Sequence, residues 1–384
     1  MTKRPKSAPA VLAVRITDNP RGRETFPFAF IPVGKHTLDG GDFVKRMKLW
    51  GAILLLAGIL IRPESAVAGA QRAMRLWCSS VAPAMFPFLA LLPILTGPDA
   101  CAAYDVILSR VMRPLFNLPG SAAPALVIGM ISGSPGGALA VRRVAVEAGL
   151  RRSEARRIAL ALGGVSPAYL ILGVGQGLYG SVALGIRLAL IQIVVQIGLL
   201  LMLRGIQAGE EEVISLPREE RARGAIQRAV ESALVICGYM VLFSSASCVA
   251  ASFVGDSIGT GLLLVSDLPS GLAELARWEI PGKLLIQGAA IGFGGLCIAA
   301  QNLDALRPLG VTAKEYFSVR AIAAGAFGGI SGFVLQSQGT GAEKYVNGSV
   351  QVYAFSLLIA GAMALPALFL LTKTFCFNNR KEEE

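Results

Sequence analysis

Charge-free apolar runs recur along this chain: Leu76 to Thr96, Asn117 to Val141, Ile158 to Ile186, Ser232 to Gly255, Leu284 to Leu303, Ala321 to Ala342 and Tyr345 to Thr372. A helix crosses a bilayer with about 20 predominantly apolar residues. In hydrocarbon each backbone polar group must find a partner within the structure, which leaves helices and closed barrels as the spanning forms. Barrels show alternating segments of roughly ten residues, a pattern absent here. The runs therefore predict an all-α polytopic membrane protein. Composition agrees: 54% of the 384 residues are apolar and 16% charged, too little charge for the surface of a soluble globule.

The net charge of +11 is placed as a membrane would place it. Residues 1 to 48 hold ten Lys or Arg against four acids, and Arg142 to Arg157 holds six Arg against two Glu. Both clusters flank apolar spans, as cytoplasmic segments do. The basic balance thus points to the lipid bilayer as partner, to a cytoplasmic N-terminus and to no nucleic acid. The six cysteines, Cys78, Cys101, Cys237, Cys248, Cys297 and Cys376, contain no C-x-x-C pair, and the single His36 lies in a polar tail. Neither a metal nor another cofactor nor a disulfide framework is indicated, and no nucleophile stands with a base, so an enzyme is not expected.

Residues 1–46 mix Pro, Gly, Arg and Thr without period and read as a disordered basic tail. Residues 47–65 form a first span; Lys48, the uncharged Leu49 to Ile61 and Ala66-Val67-Ala68 also have the make-up of a signal peptide, and we read them as retained. Arg72 and Arg75 beside Met74, Leu76 and Trp77 predict an interfacial helix over 66–77. The next span carries Pro83, Pro87 and Pro93 and should be kinked and packed on protein. A full crossing by Asn117 to Val141 would place the six-Arg cluster outside. A re-entrant hairpin turning at Gly133-Ser134-Pro135-Gly136-Gly137 avoids this. Span four then starts near Ile158, span five covers about Ser181 to Leu203, and 204–223 is a charged linker.

Four short matches recur in order across that linker: Gln71-Arg72-Ala73 with Gln227-Arg228-Ala229, Gly136-Gly137 with Gly294-Gly295, the step Gly149-Leu150-x-x-Ser153-Glu154 with Gly310-Val311-x-x-Lys314-Glu315, and Gly163-Gly164-Val165-Ser166 with Gly328-Gly329-Ile330-Ser331. They predict two gate-like repeats, 66–180 and 224–342, joined by 181–223 and followed by a last span and charged tail at 343–384. An odd number of crossings between them inverts the second repeat. Inverted repeats with discontinuous helices build midplane solute sites, because only an interrupted helix leaves main-chain polar atoms free. Four interruptions are expected: Ser132 to Gly137, Gly163 to Pro167, Gly292 to Gly295 and Gly325 to Gly332. The competing reading of such Gly pairs is close helix packing.

The strings LWCSSVAPAMFPF, RPLFNLPG, ISGSPGGA, GGVSPAYLILGVG and IGFGGLCIAAQ resemble the sporulation integral membrane proteins of the YlbJ family over about residues 45 to 375. That family sits among membrane proteins with nucleoside-recognition gate domains, which include spore maturation proteins and are similar to concentrative nucleoside transporters. The resemblance implies a permease-like protein needed for spore cortex formation, with two hairpin tips and two unwound helices around a solute. The chain departs from those transporters in having no acid in the first hairpin or at the Gly163 break.

Candidate substrate-binding residues at the interruptions are Ser132, Ser134, Gly136, Gly137, Ser166, Pro167, Gly294, Gly295, Gln301 and Ser331. Neutral hydroxyls of this kind suit a polar or anionic solute rather than a bare metal ion. Glu274 is the candidate for ion coupling, since acids within membranes are usually functional, while Glu154 and Glu315 are expected to stabilise helix N-termini. Gln192, Gln196, Gln287, Gln336 and Gln338 are expected to bond between helices. The function expected is transport of a small polar or nucleoside-like solute. The alternative is a scaffold for spore-envelope assembly, with sporulation membrane proteins or a second copy of the chain as further partners.

Overall fold

A computed structural model describes residues 40–205 and 224–336. The N-terminal tail to residue 39 with His36, the linker 206–223, Gln338, the final span and tail at 343–384, and Cys376 lie outside them. Contacts divide the chain into Met1–Gly51 and Ala52–Glu384. The described part of the first is the start of α1 (Gly40–Ile61); the rest of the fold belongs to the second. Its described elements are helical. Three of them are long and apolar enough to cross a membrane, or up to five if each bent helix pair is one span. The chain is an all-α membrane protein.

Helix α2 (Pro63–Leu76), a π-helical turn at Trp77–Val81 and α3 (Ala82–Leu95) follow one another without a loop. The irregular turn falls just before Pro83, where proline disturbs the helical ladder. The segment 66–77 packs along α9 (Ala225–Ala251). A Cβ on Gly69 would come within 2.6 Å of the Ser244 carbonyl oxygen, and Trp77 Nε1 donates to Ala233 O at 3.2 Å. A small residue at Gly69 lets the two backbones come together. The helix that turns aside is α4 (Pro98–Phe116), at 84° to α3, with Val106 and Ile107 exposed.

The first hairpin is where the sequence predicts it: α5 (Ala123–Ser132) and α6 (Gly136–Glu147). Its arms touch through glycine, a Cβ on Gly137 being 3.0 Å from Gly129 Cα. Helix α7 (Arg152–Ala161), a non-helical gap and a π-helical segment, Tyr169–Leu178, form one interrupted helix. Helix α8 (Val182–Met202) runs back, with Gly175 against the backbone of Gly185.

The second half departs from expectation. Its hairpin is α10 (Asp256–Ser266) and α11 (Leu268–Ala276), closed where a Cβ on Gly271 would lie 2.3 Å from Leu264 N. The segment expected to be that hairpin, around Gly292 to Gly295, is instead α12 (Lys283–Phe293) continued by α13 (Gly295–Ala305), a single stretch of 23 residues interrupted at Gly294. Helix α14 (Ala313–Gln336) runs straight through Gly325 to Gly332, where a break was expected. Those glycines serve packing: Gly288 and Gly292 meet Gly328 and the Ala323 carbonyl so closely that a Cβ would stand 3.1 and 2.4 Å away. A glycine pair that receives a neighbouring backbone keeps its helix intact.

Contacts sort the bundle into two ends. At the arginine end Arg156 pairs with Glu315, Arg152 Nη2 reaches Pro308 O at 3.5 Å, and Arg157 donates to Arg204 O and Asn117 O, each at 2.9 Å. At the other end Tyr179 OH donates to Gln287 Oε1 at 2.5 Å, and Lys283 donates to the carbonyls of Ala276 and Trp278. Hairpin α5–α6 therefore opens at the arginine end and α10–α11 at the opposite one. The inverted units are hairpin, interrupted helix and span, α5–α8 and α10–α14. The expected match of 149–154 with 310–315 is instead a pair of helix starts at the same end: Glu154 accepts from Arg151 N and Glu315 from Thr312 N, both at 2.9 Å, as capping carboxylates do.

Candidate functional site

Four irregular pieces of backbone converge near the centre of this bundle. Gly133 has φ +64°, and a Cβ there would lie 2.4 Å from Ser166 N, so only glycine lets the first hairpin tip reach the first gap. Ser134 N then donates to Gly164 O at 2.8 Å. A Cβ on Gly295 would stand 3.4 Å from Val265 O and 3.5 Å from Leu268 N, which puts the second tip on the second gap. The gaps adjoin each other, Gly163 O being 3.8 Å from a Cβ on Gly294. Asn302 Nδ2 closes the ring by donating to Ser134 Oγ at 2.9 Å and Tyr316 OH at 2.7 Å.

A cavity opens at this junction, with about 850 Å³ of empty space when the solvent at its mouth is included. Ser134 and Pro135 come from the first tip, Val165, Ser166 and Tyr169 from the first gap, Asp267 and Leu268 from the second tip, and Gly294, Cys297 and Gln301 from the second gap and the helix after it. Leu76, Val81 and Met85, with Ile236 and Met240 of α9, complete an otherwise carbon-rich wall. Tips from opposite ends thus share one space with both interrupted helices, as a midplane solute site requires.

Of the residues expected to bind solute, Ser134, Ser166, Gly294 and Gln301 line the cavity. The others do not, for identifiable reasons. Ser132 Oγ donates to its own helix, at Ile128 O, 2.7 Å away. Gly137 lies in the hairpin's inner seam against Gly129, and Gly136 beside the Ser132 side chain. Pro167 is half-buried beside the lining residue Ser166, and Gly295 faces the second tip. Ser331 bonds Leu284 O and Gly328 O in the α12–α14 contact. Glu274, the candidate for ion coupling, is paired with Arg277 at 3.2 Å with its side chain 31% exposed. The acid that reaches the cavity is Asp267, 7% exposed, with Oδ2 accepting from Ser270 Oγ at 2.6 Å.

Buried polar side chains brace the first gap from behind. Gln192 Nε2 donates to Val165 O, and Arg320 Nη2 to Leu160 O at 2.7 Å. Arg320 is 2% exposed and its guanidinium lies 5.8 Å from the Tyr316 ring centre. Charge on so buried a side chain is costly; here it goes to a carbonyl that helix α7 leaves unpaired at its C-terminal end. Among the described residues no group of three or more His, Cys, Asp or Glu could hold a metal ion, and Cys78, Cys101, Cys237, Cys248 and Cys297 are free thiols.

The chain is similar to the sporulation integral membrane protein YlbJ of Bacillus subtilis (strain 168). The two are 25% identical over 316 residues, which cover 70% of this chain and 78% of that relative. No protein-family model matches the chain, and no solved structure matches it.

Proposed function

We propose that this protein is a multi-pass permease of the YlbJ kind, acting in sporulation, that carries a small solute through the central cavity by alternate movement of the two hairpins. The observation that carries this reading is the meeting of two tips, approaching from opposite ends, with both interrupted helices around one space. A scaffold would need no such cavity. The arginine end faces the cytoplasm, because the cluster from Arg142 to Arg157 opens there. The sequence resemblance to membrane proteins with nucleoside-recognition gate domains makes a nucleoside-like solute one candidate; the solute itself is to be found by experiment.

Counterflow in liposomes containing the purified full-length chain tests the reading, with a panel of labelled amines, nucleosides and amino acids. At least one should exchange, and Ser166→Trp, which fills the cavity, should stop it while the protein still unfolds cooperatively. Exchange indifferent to Ser166→Trp, or no exchange of any solute by the wild type, would count against a permease. The inversion has its own check. With native cysteines replaced by serine, Ser134→Cys and Asp267→Cys should react with an impermeant maleimide from opposite faces of the membrane.

A further inference from the structure

The charge in the cavity narrows what can occupy it. Asp267 is the one carboxylic acid among its described lining residues, and no Lys, Arg or His lines the cavity with it. It precedes the first residue of α11, a position where Asp ordinarily caps the helix by accepting from a backbone N–H. Here it makes no such bond and is turned to the Ser270 hydroxyl. A carboxylate in a low-dielectric space calls for a matching cation. An alkali or alkaline-earth ion would want several oxygen ligands around it, whereas the cavity wall is largely carbon, with Met85, Ile236, Met240, Leu268 and Ile298 among its residues. Tyr169 lines the same space, and an aromatic face attracts an organic ammonium. An anion would meet the carboxylate with no basic side chain on the cavity wall to offset it, Arg72 acting on Asp267 from outside the lining, and a solute rich in hydroxyls would leave many of them unpaired.

We infer that the cavity binds a compact organic ammonium, its charged nitrogen on Asp267 and its apolar body against the methionine and aliphatic wall. This rests on the permease reading for its location, and the two can fail separately. Equilibrium dialysis of labelled benzylammonium against the full-length chain in detergent tests it, with benzyl alcohol, benzoate and sodium chloride as competitors. Benzylammonium should bind saturably, neither benzyl alcohol nor benzoate should displace it, and Asp267→Asn should weaken it roughly 30-fold or more, as loss of one partner of a buried charge pair does. Absence of saturable binding, equal binding by Asp267→Asn, or displacement by benzoate would overturn the inference. Displacement by sodium at comparable concentration would overturn it too, by making Asp267 an alkali-ion site. The competitor series on the wild type decides the matter even if Asp267→Asn does not fold. Asp267-dependent binding without flux in liposomes would uphold the inference and sink the permease. A neutral solute carried equally by wild type and Asp267→Asn would do the reverse.

Discussion

The two interrupted helices reach the same cavity by different physical means. In the first, five non-helical residues from Leu162 to Ser166 separate α7 from the helix that resumes at Pro167 and becomes π-helical at Tyr169, and the carbonyls in and beside the gap are held by groups brought from elsewhere: Ser134 N on Gly164 O, Gln192 on Val165 O and Arg320 on Leu160 O. In the second, the interruption is made by glycines in the left-handed region, Gly294 at φ +87° and Gly295 at φ +80°. Gly294 N bonds back to Ala290 O at 2.9 Å, so the chain turns without outside help. Neighbouring helices follow suit. Helix α8 packs chiefly on the half after its gap and α14 chiefly on the half before. One gap is a wide opening propped by side chains, the other a narrow joint dependent on the absence of side chains.

That contrast can be broken by experiment. The largest effect is expected from Gly292→Leu, since a Cβ there already lies 2.4 Å from the Ala323 carbonyl oxygen. Forcing α12 from α14 should cost roughly 3 kcal/mol, read from unfolding in detergent. Arg320→Ala should follow, at about 2–3 kcal/mol, because it leaves the Leu160 carbonyl unpaired and opens a void. Gly294→Ala should cost about 1–2 kcal/mol through its left-handed backbone alone, the nearest atoms to its Cβ being 3.8 Å away. Gly294→Asn should recover part of that, since Asn enters this region more readily. The smallest effect should come from Gln192→Leu, about 1 kcal/mol for one lost bond to a gap carbonyl. If Arg320→Ala and Gln192→Leu both left stability unchanged, the first gap would be held by its own backbone and the contrast would fall.

Much of the first half was legible in the residues. Gly133 to Gly137 turned as predicted because short polar and glycine residues interrupt an apolar run, and Glu154 and Glu315 capped helices because an acid beside a helix start has a local partner. The second half misled because the same residue, glycine, does two jobs that only neighbours distinguish. Gly163-Gly164 is buried against the side chains of Arg320, Tyr316 and Gln192 and opens a helix; Gly328-Gly329 lies in a helix whose Gly328 meets the α12 backbone, and remains helical. Asp267 escaped notice for a related reason. Its hairpin arms, Asp256–Ser266 and Leu268–Ala276, are each half the length of a membrane span, and the acid at their junction splits what would otherwise read as one apolar segment. The signal that could have found it is Asp267-Leu268-Pro269-Ser270-Gly271, a turn-forming string between two apolar stretches like the one in the first hairpin.

Local chemistry was enough to dictate a helical chain in lipid, the placing of its arginines, the first hairpin and the caps, because hydropathy, charge and capping act over a few neighbouring residues. Which glycines open a helix, which acid reaches the cavity, and how the two units pair were decided by tertiary contact. Those outcomes depend on whether another backbone arrives within about 3–4 Å, a distance set by residues more than a hundred positions away in sequence, as Asn302 and Ser134 show.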